Sequence, residues 1–148
     1  MDKQKAIIVD LDGTLCNNKQ REHFMTGSPR DWDGFYAGIP DDTVHEWCET
    51  IVYNFMKNGF KVLFVSGRPD KYKDATKQWL KTHSIPYDLL LMRKTGDYRE
   101  DFVIKQELYY QEIEPKYQVL FTVDDRAQVV SMWRRIGLPC LQCAEGNF

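Results

Sequence analysis

Ala6-Ile7-Ile8-Val9-Asp10-Leu11-Asp12-Gly13-Thr14-Leu15 is the stretch that decides the fold. Four apolar residues in a row, ending in two carboxylates one residue apart, read as a strand buried on both faces. That strand is predicted over about Lys5 to Asp10. In an open α/β sheet, ligands bind outside the carboxyl ends of the strands. Asp10 therefore falls where a strand meets a crevice, and Asp12 lies further into the loop. Gly13 permits a tight turn there, which lets loop N–H groups face an anion. The same residues also fit an ordinary strand-to-turn transition, because Asp-Gly is a common turn dipeptide.

Working outward, residues Cys16 to Pro40 lack clean periodicity and carry Gly27, Pro29, Gly34, Gly38 and Pro40. A loop of that length inside a compact domain is usually functional. Its aromatics, Phe24, Trp32, Phe35 and Tyr36, suit a small lid that folds down. A helix is expected next, with Thr43 and Glu46 at capping-box spacing. Its apolar stripe is Val44, Trp47, Cys48, Ile51, Val52, Phe55 and Met56, and Gly59 ends it. Phe60 to Val65 reads as a second strand stopped by Ser66-Gly67-Arg68-Pro69, with Pro69 opening the following helix. That helix is expected to bury Tyr72, Ala75, Trp79 and Leu80. Further strands are predicted at Asp88 to Met92, Tyr117 to Val123 and Pro139 to Cys143, with helices near 100–113 and 127–136. Strands alternating with helices specify a Rossmann-like, doubly wound parallel α/β sheet of about five strands. Residues 1–148 are expected to form one domain, with 16–40 as a lid after the first strand.

The 148 residues are 43% hydrophobic and 28% charged, the composition of an ordinary globular protein. A formal net charge of −2 argues against a protein that coats nucleic acid, but leaves room for a local basic pocket. No apolar run approaches membrane-spanning length, and no leader peptide is expected before the first strand. Cys16, Cys48, Cys140 and Cys143 are scattered, which suits a reducing cytoplasm better than a disulfide framework.

Parallel strands bring three chemical endings to one lip of the sheet: Asp10 and Asp12, then Ser66, then Asp124 and Asp125. Four carboxylates there repel one another unless neutralised. Mg²⁺, which prefers oxygen ligands, is the expected cofactor on Asp10, Asp12, Asp124 and Asp125. A helix N-cap accounts for one aspartate of Asp124-Asp125, not for both. Phosphoryl transfer through an aspartyl-phosphate uses this set. Asp10 is the expected nucleophile. Asp12 is the expected acid and base, with a pKa pushed upward by its carboxylate neighbours and burial. Ser66 and the Gly67 N–H are expected to hold phosphate oxygens, and Lys105 to supply positive charge. Lys105 also lies four residues after Asp101, the spacing of an exposed helix pair.

Asp10-Leu11-Asp12-Gly13-Thr14-Leu15, Ser66, Lys105 and Asp124-Asp125 match in order the four motifs of the haloacid dehalogenase-like (HAD) hydrolases. Ser66-Gly67-Arg68, Gly96-Asp97-Tyr98-Arg99, Asp124-Asp125-Arg126-Ala127-Gln128-Val129-Val130 and Met132-Trp133-Arg134-Arg135-Ile136-Gly137 further resemble the phosphatase half of phage-type polynucleotide kinase/3′-phosphatases. That resemblance implies two site arginines, Arg21 and Arg68, and a site aspartate, Asp101, with Thr14 among the phosphate-binding residues. It implies a Mg²⁺-dependent phosphomonoesterase that removes a terminal phosphate from a phosphorylated nucleic acid end or a nucleotide, preferably the 3′-phosphate of a DNA or RNA end, and no membrane partner is expected. No Gly-x-x-x-x-Gly-Lys-Ser/Thr loop occurs in the chain, so the kinase half has no counterpart here. The 16–40 segment matches poorly, which leaves substrate choice open.

Weaker signals carry less. Cys140 and Cys143 have metal spacing without a second pair and read as packing residues. Lys71, Lys73, Lys77 and Lys81 fit a solvated helix face better than a steering patch. Trp32, Phe35 and Tyr36 fit fastening of the lid to the domain better than stacking on a base. His23, His45 and His83 have no partner spacing. Rival functions are a phosphatase of free nucleotides and a non-catalytic phosphate-binding module.

Overall fold

A computed structural model describes residues 2–148. Seven strands alternate with five α-helices: β1 (Gln4–Val9), β2 (Cys16–Asn17), α1 (Trp32–Ala37), β3 (Thr43–Val44), α2 (Glu46–Lys57), β4 (Lys61–Pro69), α3 (Lys73–Thr82), β5 (Leu89–Arg93), α4 (Asp101–Leu108), β6 (Tyr117–Asp124), α5 (Ala127–Arg135) and β7 (Cys140–Gln142). The main sheet has the order β5-β4-β1-β6-β7, and every pairing in it is parallel. The chain leaves β1 toward β4 and β5, then returns to lay β6 and β7 on the other side. Strand order reverses at β1, so the crevice between β1 and β6 is the topological switch point where ligands bind.

The apolar run of β1 is fully covered because helices pack on both faces. Ile7 and Val9 join Cys48 and Val52 of α2 and Trp79 and Leu80 of α3 in one core. Ala6 and Ile8 face the other way, with Val129, Val130 and Trp133 of α5. The period-2 alternation of a strand thus feeds two cores.

Several local expectations are corrected. The 16–40 segment is not one loop: it holds β2, a 3₁₀ helix (Lys19–Met25), α1 and a further 3₁₀ turn (Ile39–Asp41). Antiparallel pairing of β2 with β3 ties its two ends together and carries the insertion to Val44. That pairing takes Thr43 into a strand, so α2 starts at Glu46 without a side-chain cap and the capping box does not form. Trp47 is 42% exposed rather than part of the buried stripe. β4 continues past Val65 through Pro69, with a register shift between Ser66 and Pro69. An irregularity of that kind re-aims side chains, here Gly67 and Arg68. Pro69 closes the strand, and a 3₁₀ turn (Asp70–Tyr72) separates it from α3. In α3 it is Thr76, with Trp79 and Leu80, that is buried; Tyr72 and Ala75 are half-exposed.

No helix among the described residues is long and apolar enough to cross a membrane. Ile8, 1% exposed between the central strands and α5, should be costly to truncate. Ile8→Ala is expected to lose about 2–5 kcal/mol of unfolding free energy in urea titration, whereas Leu120→Ala, at 50% exposure, should stay within about 0.5 kcal/mol.

Candidate active site

The loop after β1 is built by its own backbone. Asp10 donates its N–H to Val123 of β6 (3.0 Å), Gly13 to Cys16 (3.0 Å) and Thr14 to Leu11 (3.1 Å). Gly13 has φ +79°, and a Cβ there would run into the Asp125 carboxylate. The position thus needs glycine for its dihedral and for space. Imidazole Nδ1 of His45 lies 2.8 Å from the Thr14 carbonyl oxygen, a hydrogen bond that fixes the loop to the start of α2.

Asp10, Asp124 and Asp125 converge beyond the strand ends, with ligand oxygens all within 4.8 Å of one another. Lys105, buried in α4, donates to Asp10 Oδ1 (2.9 Å) and Asp124 Oδ2 (2.9 Å). Thr14 Oγ1 donates to Asp10 Oδ2 (3.0 Å), so both oxygens of that carboxylate are held. Burial and then Asp124 raise the Asp10 carboxyl well above its ordinary value, against the pull of Lys105. Burial and Asp124 likewise push Asp125 up to about 6. Burial disfavours the Lys105 ammonium, yet Asp10, Asp124 and Asp101 outweigh it and raise its pKa. One lysine balances one of three carboxylates. The three carboxylates form an all-oxygen donor set that fits a hard divalent cation, which would supply the missing positive charge.

Asp12 points away from that trio into an arginine pair. Arg68 donates from Nε to Asp12 Oδ2 (3.1 Å) and from Nη2 to Oδ1 (2.6 Å). Its Nη1 goes to Thr76 Oγ1 (2.9 Å). Arg21 bridges Asp12 and Asp42, with Nε to Asp42 Oδ1 at 2.9 Å and Nη2 to Asp42 Oδ2 at 2.7 Å. Its guanidinium lies 4.3 Å from the Phe35 ring centroid. The upward pKa shift expected for Asp12 is corrected here. Burial does push upward, but Arg68 and Arg21 outweigh it and hold the carboxyl well below the ordinary range. The carboxylates that crowd Asp10 are not its partners. Most N–H donors of both arginines are directed at protein acceptors in this structure.

On the other side of β4, Asp101 stands where a Cβ on Gly67 would collide with it. Three cations surround it: Arg93 Nη2 at 3.6 Å, Lys105 Nζ at 3.9 Å and Arg126 Nη1 at 3.6 Å. Lys105 and Asp101 therefore form no exposed helix pair. Ser66 Oγ is buried and accepts the Arg68 N–H (3.1 Å).

The eleven residues singled out from the sequence thus line one lip: Asp10, Asp12, Thr14, Arg21, Ser66, Gly67, Arg68, Asp101, Lys105, Asp124 and Asp125. Four others belong with them and were missed. Asp42 accepts from Arg21, His45 bonds the Thr14 carbonyl, and Arg93 and Arg126 flank Asp101, contacts between residues too far apart in the chain for a local pattern to record.

A parallel sheet with these acids at its switch point is the architecture of HAD-fold phosphatases, and the chain is a phosphoric monoester hydrolase of that type. The class C acid phosphatase of Bacillus anthracis shares the fold, with TM-score 0.69 and 17% identity over 89% of this chain and 54% of that one. The chain belongs to the polynucleotide kinase PNKP phosphatase domain family, whose profile matches residues 4–148. A chain of the Pnkp1/Rnl/Hen1 RNA repair complex superposes with TM-score 0.88 and 40% identity, covering 99% of this chain and 44% of that chain. A protein of Autographa californica nuclear polyhedrosis virus, described as a bifunctional polynucleotide kinase/RNA ligase, is 28% identical over 136 residues, 91% of this chain and 18% of that protein. The chain thus spans less than half of the RNA repair chain and of the viral protein.

Removing the Asp42 charge strips Arg21 of a buried partner. Asp42→Ala is expected to cost about 3–5 kcal/mol of stability in urea unfolding, and isosteric Asp42→Asn clearly less.

Proposed function

We propose that this chain is a Mg²⁺-dependent phosphatase that removes the 3′-phosphate from a DNA or RNA end through an aspartyl-phosphate on Asp10. The observation that carries the reading is the placement of Asp10. It ends the central strand, one oxygen is held by Lys105 and the other by Thr14, and Asp12 follows two residues later.

Asp10, Asp124 and Asp125 would hold the cation, which when bound offsets the charge repulsion between carboxylate and phosphate. The rest falls to the chain. An Asp10 oxygen attacks phosphorus, and the bond from phosphorus to the leaving oxygen breaks. Asp12, ionised at rest, relays to that oxygen the proton of the incoming phosphate monoanion. Water then attacks the aspartyl-phosphate, Asp12 accepts the water proton, and inorganic phosphate leaves. Between steps Arg21 and Arg68 hold Asp12 ionised, the form that takes the proton from water. Ser66 and the Gly67 N–H are assigned to phosphate oxygens. Residues 1–148 act as one domain, with the insertion after β1 as a lid fixed through Arg21. Family membership supports a nucleic acid end as substrate, as does the likeness to a chain from an RNA repair complex. Working in the cytoplasm fits four unpaired cysteines.

A substrate panel tests the reading. Oligonucleotides with a 3′-phosphate should be hydrolysed at least ten times faster than 5′-phosphorylated ones or mononucleotides; the reverse order would make the chain a nucleotidase. Asp10→Asn should lose at least 10³-fold in kcat, and retained turnover would remove the covalent step. Asp12→Asn should accumulate phosphoenzyme from an aryl phosphate, visible by acid-quench labelling. Chelation should abolish activity and added Mg²⁺ restore it.

A further inference from the structure

Three aromatic rings form a row that leads away from the phosphate-binding lip. Tyr36 and Tyr72 have centroids 4.7 Å apart, and Trp32 stacks on Tyr36 at 5.9 Å with an interplanar angle of 21°. Trp32 and Tyr36 lie four residues apart on α1, hence on one face of that short helix. The inner end of the row adjoins the site. Thr76 Oγ1 donates to the Tyr72 carbonyl (2.8 Å) and accepts from Arg68 Nη1 (2.9 Å), and the carbonyl of Phe35, next to Tyr36, accepts from Arg21 Nη1 (3.3 Å). Tyr72 follows Arg68 and Pro69 in the turn after β4. The outer end is open, for Trp32 is 48% exposed while Phe35 and Tyr36 are buried. The aromatics of the insertion thus divide their work, with Phe35 and Tyr36 fastening it and Trp32 left uncovered.

Packing does not account for an exposed indole at that place, and the charges beside it indicate the occupant. The Arg30 guanidinium stands 6.0 Å from the Trp32 ring and Lys71 Nζ 5.2 Å from the Tyr72 ring. Arg30 makes no ion pair among the described residues, whereas Lys71 is 3.9 Å from Asp33, which also accepts the Tyr72 hydroxyl (3.3 Å). The exposed Asp31 caps α1, its carboxylate accepting the Gly34 N–H (2.9 Å). An exposed flat ring with an unpaired guanidinium beside it matches a base and its neighbouring phosphate.

We propose that Trp32, with Arg30 beside it, is a strand subsite that stacks a base of a single-stranded nucleic acid whose terminal phosphate occupies the lip. The proposal rests on the phosphatase reading above and deepens it, because it names the feature that selects a polymer over a mononucleotide. Binding here adds affinity for the strand without touching the reacting atoms, so its effect falls on KM.

The test compares a 3′-phosphorylated single-stranded oligonucleotide with an aryl phosphate on the wild type, Trp32→Ala, Arg30→Ala and Tyr110→Ala. Tyr110 is equally exposed (48%) but lies beyond the opposite end of α4 from the site. Trp32→Ala is expected to lower the oligonucleotide-to-aryl-phosphate ratio of kcat/KM by about 5- to 50-fold through the oligonucleotide KM. Arg30→Ala should lower it less and reduce the dependence of KM on salt, while Tyr110→Ala leaves the ratio unchanged. An unchanged ratio in Trp32→Ala, with the wild type active on both substrates, overturns the subsite and leaves the phosphatase standing. Equal losses on both substrates overturn it too, since Trp32 would then serve the lid alone. A wild type that cleaves the aryl phosphate but not the oligonucleotide overturns the nucleic acid reading, and the subsite with it.

Discussion

Three carboxylates, Asp10, Asp124 and Asp125, share a space in which one ammonium group, Lys105, is available to balance them. Like charges that close, in a partly dry crevice, cannot all stay ionised without further positive charge. The rest of the lip is arranged around that excess. The sheet order places Asp10 and Asp124 on adjacent strands, α4 delivers Lys105 between them, and Gly13 lets the loop approach Asp125 without a side chain in the way. Such a cluster is poor as a stabilising core and well suited to drawing in a cation, and with it an anionic substrate.

Asp12 lives two residues away under the opposite regime. Two guanidinium groups surround it, and a further carboxylate, Asp42, balances the second of them. Two aspartates of one motif thus have pKa values driven apart by their neighbours. Strand geometry separates them, because the turn at Leu11 sends Asp10 toward β6 and Asp12 toward β4.

The insertion after β1 belongs to the site rather than sitting over it as a loose flap. Arg21 leaves the insertion to reach Asp12, and Phe35 packs under the guanidinium. The β2–β3 pairing holds the ends of the segment together. What faces solvent is then the outer edge of α1, where Trp32 stands.

Local pattern and motif order were enough to read the parallel sheet, its central strand and the convergence of Asp10, Ser66 and Asp124 on one lip. A buried strand announces itself by an unbroken apolar run, and parallel strands align their ends whatever the loops do. Periodicity could not decide Lys105, whose spacing from Asp101 equally suits a surface pair; resemblance to a family raised it, and packing of α4 against the sheet brought it to Asp10. The folding of 16–44 was hidden because its contacts join residues far apart in the chain: Arg21 with Asp42, Cys16 with Val44, Thr14 with His45. Protonation was misjudged for the same reason. The charge state of Asp12 follows from Arg68, fifty-six residues on, and no local pattern records which partner the fold will set beside a carboxylate.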